Sequence, residues 1–366
     1  MRESFVFADE FGPEKVIEMT DPRSGLRAIL VVDNTAAGPA IGGCRMAPDV
    51  TAEECFRLAR AMTFKNAAAG LPHGGGKLVI VGDPKMPGNE KEDLIRSLAR
   101  AIGEVQSFIP GPDMGTDETA MAWIRDEIGR SVGLPREIGG IPLDAIGATG
   151  FGLSAAMQAV RDVLGLPIEG SRIAIQGYGA VGRWAAHHLA KLGGVIVAVS
   201  DSRGGVIAPA GLDLGRLDAL KASGKSVADY EGATAAGPEE VLTCDCDIVV
   251  PAARPDVINE GNADAIKARL VLEGANIPAT VAAEESLHAR GVWVVPDFIA
   301  NAGGVICAAV EYRGGSESDA LKVIEELVYR NTAEVMGNAK ARQQSPRAAA
   351  RALAEERVLK AMSYRQ

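Results

Sequence analysis

Histidine, tryptophan and cysteine are scarce, with 4, 3 and 5 copies respectively in 366 residues. That scarcity argues against a metal protein. Cys244 and Cys246 lie close together, but no second cysteine pair or histidine cluster completes a ligand set, so no metal is expected. An odd, scattered set of cysteines also argues against a disulfide framework, and all five read as reduced thiols in a cytoplasmic protein. Basic residues are outnumbered 38 to 48, giving a net charge of −10. A chain of that sign has no field for a phosphate backbone, so no nucleic-acid partner is expected. No run reaches the ~18 apolar residues that span a bilayer, so no membrane partner is expected either. The opening stretch MRESFVFADEFGPEK carries charges and no apolar segment of the leader type.

What the chain has in quantity is glycine, 43 residues, against an ordinary 47% hydrophobic and 23% charged content. Excess glycine signals tight turns and places where backbone approaches a ligand. The length suits two domains. Ala28 to Val32 reads as a buried strand. Thr51-Ala-Glu-Glu54 is a capping-box pattern opening a helix that runs to about Gly70. Leu78 to Val81 reads as a strand, Glu92 to Ile109 as a helix, and a further helix follows Thr116. A Gly/Pro-rich break spans Gly133 to Pro142, and Thr149 to Leu164 is a strong helical stretch. Beyond it, strands at Arg172–Gln176, Val195–Ser200, Ile248–Val250, Leu270–Leu272 and Val292–Val295 alternate with helical or loop segments, among them a helix over Ala180–Leu192. That alternation implies a parallel sheet covered on both faces. Ser345-Pro346 opens a last helix over 346–362.

Gly177-Tyr178-Gly179-Ala180-Val181-Gly182 matches G-x-G-x-x-G, and it follows the strand RIAIQ and opens a helix, the context such a fingerprint requires. Gly177 permits the turn, Gly179 lets backbone approach a pyrophosphate, Gly182 allows close helix–strand packing, and the helix N-terminus attracts phosphate. At the end of the next strand, Asp201 is placed to hold a ribose 2′-hydroxyl, which favours NAD. Ser200 and Arg203 beside it leave NADP as the alternative. Gly74-Gly75-Gly76-Lys77 is not a second phosphate loop, because its spacing is wrong and Leu78 stands where Ser or Thr would be needed.

Lys65 and Lys77 sit in apolar or Gly-rich surroundings, twelve residues apart. Taken alone, either reads as a surface lysine with a packed stem. Together, beside a Gly-rich loop, they suggest a desolvated site. One ammonium can bind a carboxylate, and the other, depressed by burial and by its neighbour, can serve in proton transfer. Asp113, on the loop GPDMGT, reads alone as a turn or capping residue. His73 borders the loop as a candidate lining residue, while His187 and His188 read as surface or packing residues.

The whole pattern resembles the glutamate/leucine/phenylalanine/valine dehydrogenase superfamily. The resemblance is carried by GPAIGGCRM (38–46), AMTFKNAAAGLPHGGGK (61–77), GPDMGT (111–116), ATGFG (148–152), QGYGAVG (176–182), EGANIP (273–278) and PDFIANAGGV (296–305), in that order over nearly the whole chain. It implies an α/β fold with two domains, an N-terminal substrate domain and a Rossmann-like dinucleotide domain with a cleft between them. The expected boundaries are 1–147, 148–330 and a C-terminal helical return over 331–366. It implies that Lys65 binds the substrate α-carboxylate, that Lys77 activates water, and that Asp113 shuttles protons. Gly43 and Met62 are then substrate-lining positions, and Thr149, Asn276 and Asn301 lie near the nicotinamide and its ribose. The implied reaction is reversible oxidative deamination of an L-amino acid to its 2-oxo acid and ammonia. In it, hydride passes from Cα to NAD(P), and water assisted by Lys77 attacks the resulting imine. The family also implies a homo-oligomer.

Two departures bear on the substrate. Glutamate-specific members carry a lysine where this chain has Ile41 and a serine where it has Ala308. Both changes remove polar partners for a side-chain carboxylate. Gly111 stands where leucine-specific members have alanine, which would deepen the pocket, whereas Val305 keeps the bulk usual with aliphatic substrates. VSDSRG and EGANIP are closer to glutamate-type members. The expectation is therefore an apolar, branched or aromatic substrate. The alternatives are a glutamate dehydrogenase with an atypical pocket and, in another class, a non-catalytic dinucleotide-binding regulator.

Overall fold

The computed structural model describes residues 7–365, so the first six residues of the stretch read for a leader lie outside it. In chain order the first elements are β1 (Lys15–Asp21), β2 (Leu26–Asn34), β3 (Ala40–Ala47), α1 (Ala52–Ala69), β4 (Gly74–Val81), α2 (Gly88–Ala101), β5 (Phe108–Pro112) and α3 (Glu118–Ile128). Then follow α4 (Ala148–Leu164), β6 (Arg172–Gln176), α5 (Ala180–Lys191), β7 (Val195–Asp201), β8 (Gly204–Ile207), α6 (Leu214–Ala222), β9 (Thr234–Ala236), α7 (Pro238–Thr243) and β10 (Ile248–Pro251). The last are β11 (Leu270–Leu272), α8 (Val281–Ala289), β12 (Trp293–Val295), α9 (Asp297–Ala300), α10 (Gly303–Tyr312), α11 (Glu317–Arg342) and α12 (Pro346–Met362).

The chain folds as two compact units. The first comprises residues 1–142, 305–320 and 351–366, the second residues 143–304 and 321–350. Sequence reading placed the first boundary at 147/148 and a single return over 331–366. Instead the return is made twice, by α10 and by most of α12, because Glu311 and Arg357 each bond backbone of the first unit. Glu311 accepts from the Leu134 and Ile141 N–H groups, and Arg357 donates to the Ala67 and Ala68 carbonyls.

The first unit holds a five-stranded sheet in the order β1-β2-β4-β3-β5. β1 and β2, and β2 and β4, pair antiparallel, while β3 runs parallel to both β4 and β5. Leu30, Leu78 and Met46 point to one face, where they pack with Leu94 and Leu98 of α2 and Met121 and Ile124 of α3. Val31 and Val79 point to the other, against Cys55, Phe56 and Ala59 of α1. This is the period-2 alternation of strands buried on both faces. β1 and β3 were not read from the sequence, and the helix expected over Glu92–Ile109 ends at Ala101. The remaining residues turn at Gly103 and extend as β5, with Phe108 and Ile109 pairing Ala40 and Ile41. Pro110 and Pro112 are tolerated there because β5 is an edge strand. Thr51 caps α1 by accepting the Glu54 N–H at 3.1 Å, but the Glu54 carboxylate pairs with Arg45.

The second unit carries a seven-stranded sheet, β12-β11-β10-β6-β7-β8-β9. β12 to β7 run parallel, and β8 and β9, also unread from sequence, extend the sheet antiparallel. β6 is flanked by β7 on one side and β10 on the other, so the strand order reverses beside it, where open α/β sheets bind ligands. Among the described residues no helix is long and apolar enough to cross a membrane, and no group of metal-ligating side chains occurs. All five cysteines are buried and free.

Candidate active site

Lys77 lies in the middle of β4, on the face that α1 covers. Its ammonium pairs directly with the Asp113 carboxylate at the end of β5. Glycine makes this approach possible. A Cβ on Gly43 would fall 2.8 Å from Asp113 Oδ2, and one on Gly75 would fall 2.0 Å from the Thr63 backbone nitrogen. The bare strands let α1 lie flush on β4 and bring Asp113 over β3. Burial pushes the Lys77 ammonium down to about 8, with the Arg45 guanidinium as the next cause. Asp113 is held in place by three further contacts. Its Oδ1 accepts the Met114 N–H at 2.6 Å and faces Arg45 at 3.4 Å, and its N–H donates to Thr116 Oγ1 at 3.0 Å. Thr116 in turn donates to the Cys44 carbonyl. The pair is a buried cation and a fixed carboxylate able to exchange a proton near neutral pH.

Ile41 is two residues from Gly43 on β3 and so shares the Lys77 face; it is 4% exposed. Lys65 and Met62 are half-buried on α1, three residues apart on one helix face. Val305 and Ala308 share a face of α10 and are partly exposed. Glu311, buried one turn further on, ties α10 to the 133–142 loop and was missed in the sequence, where a lone glutamate in an apolar helix was the available signal. Gly111 pairs Gly43 in register, and a Cβ there would sit 3.2 Å from Val132 Cγ2. His73 is buried, with Nδ1 against the Pro39 carbonyl at 3.1 Å and its ring edge-on to Tyr312.

In the second unit the fingerprint forms a cradle that a dinucleotide phosphate fits. Gly177 has φ 100°, and a Cβ on it would strike Ala252 and Ala253. A Cβ on Gly182 would lie 2.0 Å from the Gly177 carbonyl oxygen. Gly179, the N-cap of α5, has nothing within 4 Å of its Cβ position and supplies no side-chain cap. Open space in front of uncapped N–H groups at Ala180 and Val181 is the geometry an anion requires. Asn301 Nδ2 donates to Asn276 Oδ1 at 3.0 Å and to the Ala275 carbonyl at 3.1 Å. Thr149 lies against Gly303 and Gly304, two and three residues past Asn301.

Asp201 Oδ1 accepts from Ser226 Oγ at 2.7 Å and from the Arg203 N–H at 2.9 Å; its Oδ2 accepts from Lys221 Nζ at 2.9 Å and from the Val227 N–H at 3.1 Å. Four donors fill the carboxylate and hold it well below the usual acid range. These contacts fix Asp201 in the strand-end turn.

Comparison with known proteins gives a consistent picture. Residues 139–366 match the family described as Glutamate/Leucine/Phenylalanine/Valine dehydrogenase, and residues 13–130 match its dimerisation domain. The chain is 41% identical over 355 residues to a glutamate dehydrogenase of Aeropyrum pernix, covering 91% of this chain and 85% of that one. It is 40% identical over 355 residues to an NADP-specific glutamate dehydrogenase of Saccharolobus shibatae, covering 91% and 83%. Among solved structures, the hetero-hexameric glutamate dehydrogenase of Thermus thermophilus in its Leu-bound form superposes with a TM-score of 0.84 at 32% identity, over 97% of this chain and 90% of that one.

Proposed function

The chain belongs to the Glu/Leu/Phe/Val dehydrogenase family and is an NAD(P)-dependent amino acid dehydrogenase, and we propose that it interconverts L-glutamate with 2-oxoglutarate and ammonia. The observation that carries the substrate is the roughly 40% identity, over nine-tenths of the chain, to proteins named glutamate dehydrogenase. This reverses the order expected from Ile41 and Ala308. The non-catalytic alternative is set aside by the family assignment.

In this reading a dinucleotide held at the Gly177–Gly182 turn would supply the hydride acceptor for the amino acid Cα. The chain's own residues do the rest. Lys65 holds the α-carboxylate. Lys77, close to neutral pH in its titration, releases and takes up the proton of the attacking water. Asp113, hydrogen-bonded to Lys77, relays protons to and from the substrate nitrogen. A saturated Asp201 neither grips a 2′-hydroxyl nor stands free to repel a 2′-phosphate, and Arg203 is exposed beside it. Either NAD or NADP fits this site, and the engagement of Asp201 leaves room for NADP. A match over the dimerisation domain supports a homo-oligomer.

A second reading, an apolar amino acid as substrate, keeps one specific observation in its favour. Ile41 is buried on the Lys77 face and itself offers a γ-carboxylate no charge partner. The experiment that separates the two is kcat/KM for glutamate, leucine and phenylalanine with each cofactor at saturation. Glutamate at least ~10-fold ahead supports the proposal, and leucine or phenylalanine ahead by that factor reinstates the apolar reading.

A further inference from the structure

The turn that carries Asn276 is backed by an unusual concentration of buried charge. Glu273 at the end of β11 is fully buried, and Glu284 of α8 and Asp297 at the start of α9 are nearly so. One guanidinium, that of Arg347 in the first turn of α12, serves all three. It lies 2.9 Å from Glu273 Oε2, 3.1 Å from Asp297 Oδ1 and 2.6 Å from Glu284. Glu273 Oε2 also accepts the Asp297 N–H at 2.8 Å, and Asp297 Oδ2 accepts the Ile277 N–H at 2.9 Å. The chain of contacts thus runs from Arg347 to the turn itself.

That turn is strained. Ile277 has φ 49°, a left-handed conformation that a β-branched residue avoids. Such a conformation persists only where surrounding contacts over-determine it. The bond from Ile277 N–H to Asp297 and the bond from Asp256 N–H to the Ile277 carbonyl at 3.0 Å are those contacts.

Three carboxyls facing one guanidinium in a buried site leave an excess of negative charge. Glu273 Oε1, moreover, is buried with no donor among the described residues, and Glu284 shares the Arg347 guanidinium with Glu273. A proton held by the Glu273–Glu284 pair removes one of these charges and can be donated from one carboxyl to the other. We propose that Arg347, Glu273, Glu284 and Asp297 form a positioning network, closed by a proton shared between Glu273 and Glu284, that holds the 274–278 turn in the shape presenting Asn276 to the dinucleotide. The proposal rests on the reading of Asn276 as a nicotinamide-side residue and is independent of which amino acid is oxidised.

Glu284, Asp297 and Arg347 are the charged groups that face Glu273 from α8, α9 and α12. Burial, then the neighbouring Glu284, raises Glu273 well above the usual carboxyl range. The stabilisation from that proton is therefore present at low pH and is lost as pH rises through the raised folded value.

The test uses the full-length enzyme, with NADH and NADPH binding followed by fluorescence and thermal unfolding followed in parallel from pH 6 to 10. Relative to Glu273→Gln, wild type is expected to lose dinucleotide affinity and stability together on the alkaline side. Glu273→Gln, which keeps a donor toward Glu284 at every pH, is expected to flatten both profiles. Arg347→Met is expected to raise the dinucleotide Kd and KM by ~10-fold or more, with a smaller effect on kcat at saturation, and Arg347→Lys to recover part of that loss. If Arg347→Met does not fold, the Glu273→Gln profile decides. An unaltered alkaline profile in Glu273→Gln overturns the proposal, as does an Arg347→Met enzyme that is less stable yet binds dinucleotide normally. A wild type that binds neither NADH nor NADPH refutes the dinucleotide site instead, which keeps the two failures distinguishable.

Discussion

Replacing Lys77 by methionine separates what the fold gains from what the chemistry needs. The Lys77 ammonium sits on a sheet face under α1, 6% exposed, and its pKa falls from 10.5 to about 8. A depression of that size corresponds to about 3 kcal/mol, at ~1.36 kcal/mol per unit, by which burial disfavours the charged form in the native state. Below pH 8 lysine is protonated in both folded and unfolded chains, and the whole cost is borne. Between pH 8 and 10.5 the native state sheds its proton first, and the cost disappears. Methionine has a similar length and no charge. Asp113 would keep the Met114 N–H and Arg45 as partners. Lys77→Met is therefore expected to be more stable relative to wild type at pH 7 than at pH 10.5. The difference between those two comparisons should approach ~3 kcal/mol as an upper limit, reduced by the lost ion pair with Asp113. Urea unfolding of both proteins at the two pH values measures it directly, and kcat should drop by at least ~10²-fold. A stability difference that is the same at both pH values, or that shifts the other way, refutes the burial argument. Near-normal turnover refutes the catalytic role.

Other substitutions test the remaining parts. Gly179→Val places a branched side chain in the open space before α5 and should abolish measurable NAD(P)H binding by fluorescence while circular dichroism stays unchanged. Lys65→Ala should raise the KM for the amino acid by ~10-fold or more with a smaller fall in kcat, and a kcat defect alone would move Lys65 from binding into chemistry. Glu311→Ala leaves the Leu134 and Ile141 N–H groups without their acceptor. At ~1–3 kcal/mol for each buried unsatisfied donor, it should lower the denaturation midpoint clearly and loosen substrate binding through α10. Asp201→Asn should change the NADP-to-NAD ratio of kcat/KM by less than ~3-fold, because the carboxylate is already saturated; a larger swing would show that it meets the ribose after all.

Much of this architecture was legible in the sequence, for identifiable reasons. β6, α5, β10, β11 and α12 declared themselves through uninterrupted apolar runs, a glycine fingerprint and a Ser-Pro start. These are local signals, and their local reading survives in the fold. β3 and β5 were hidden because their residues serve a tertiary purpose that overrides propensity. GPAIGGCRM places two glycines in a central strand so that Asp113 and the β4 backbone can approach, and FIPGP puts prolines in an edge strand. Lys77 and Asp113 were visible as residue types, whereas their contact depends on β3 lying between β4 and β5, a sheet order that no local pattern encodes. Asp201 was legible as a strand-end acid, whereas its partners Lys221 and Ser226, 20 and 25 positions further on, were not.

The substrate question turns on a similar conflict between a position and its surroundings. Ile41 occupies the site of a lysine in glutamate-specific members, and in isolation that argues for an apolar pocket. A γ-carboxylate brought against it without a partner would lose hydration worth several kcal/mol. That penalty applies only if no cation reaches the pocket from another element. Arg45 is two residues past Gly43 on the same strand face, and its Nε is buried with no acceptor among the described residues. Its other nitrogens are engaged with Glu54 and Asp113. A cation supplied from the far end of the strand would reconcile glutamate with Ile41. Arg45→Met should then cost glutamate at least ~10-fold more in kcat/KM than it costs leucine, since only the former loses a charge partner. Equal losses for the two substrates would leave Arg45 as support for Asp113 alone, and the case for glutamate in this pocket would fail with it.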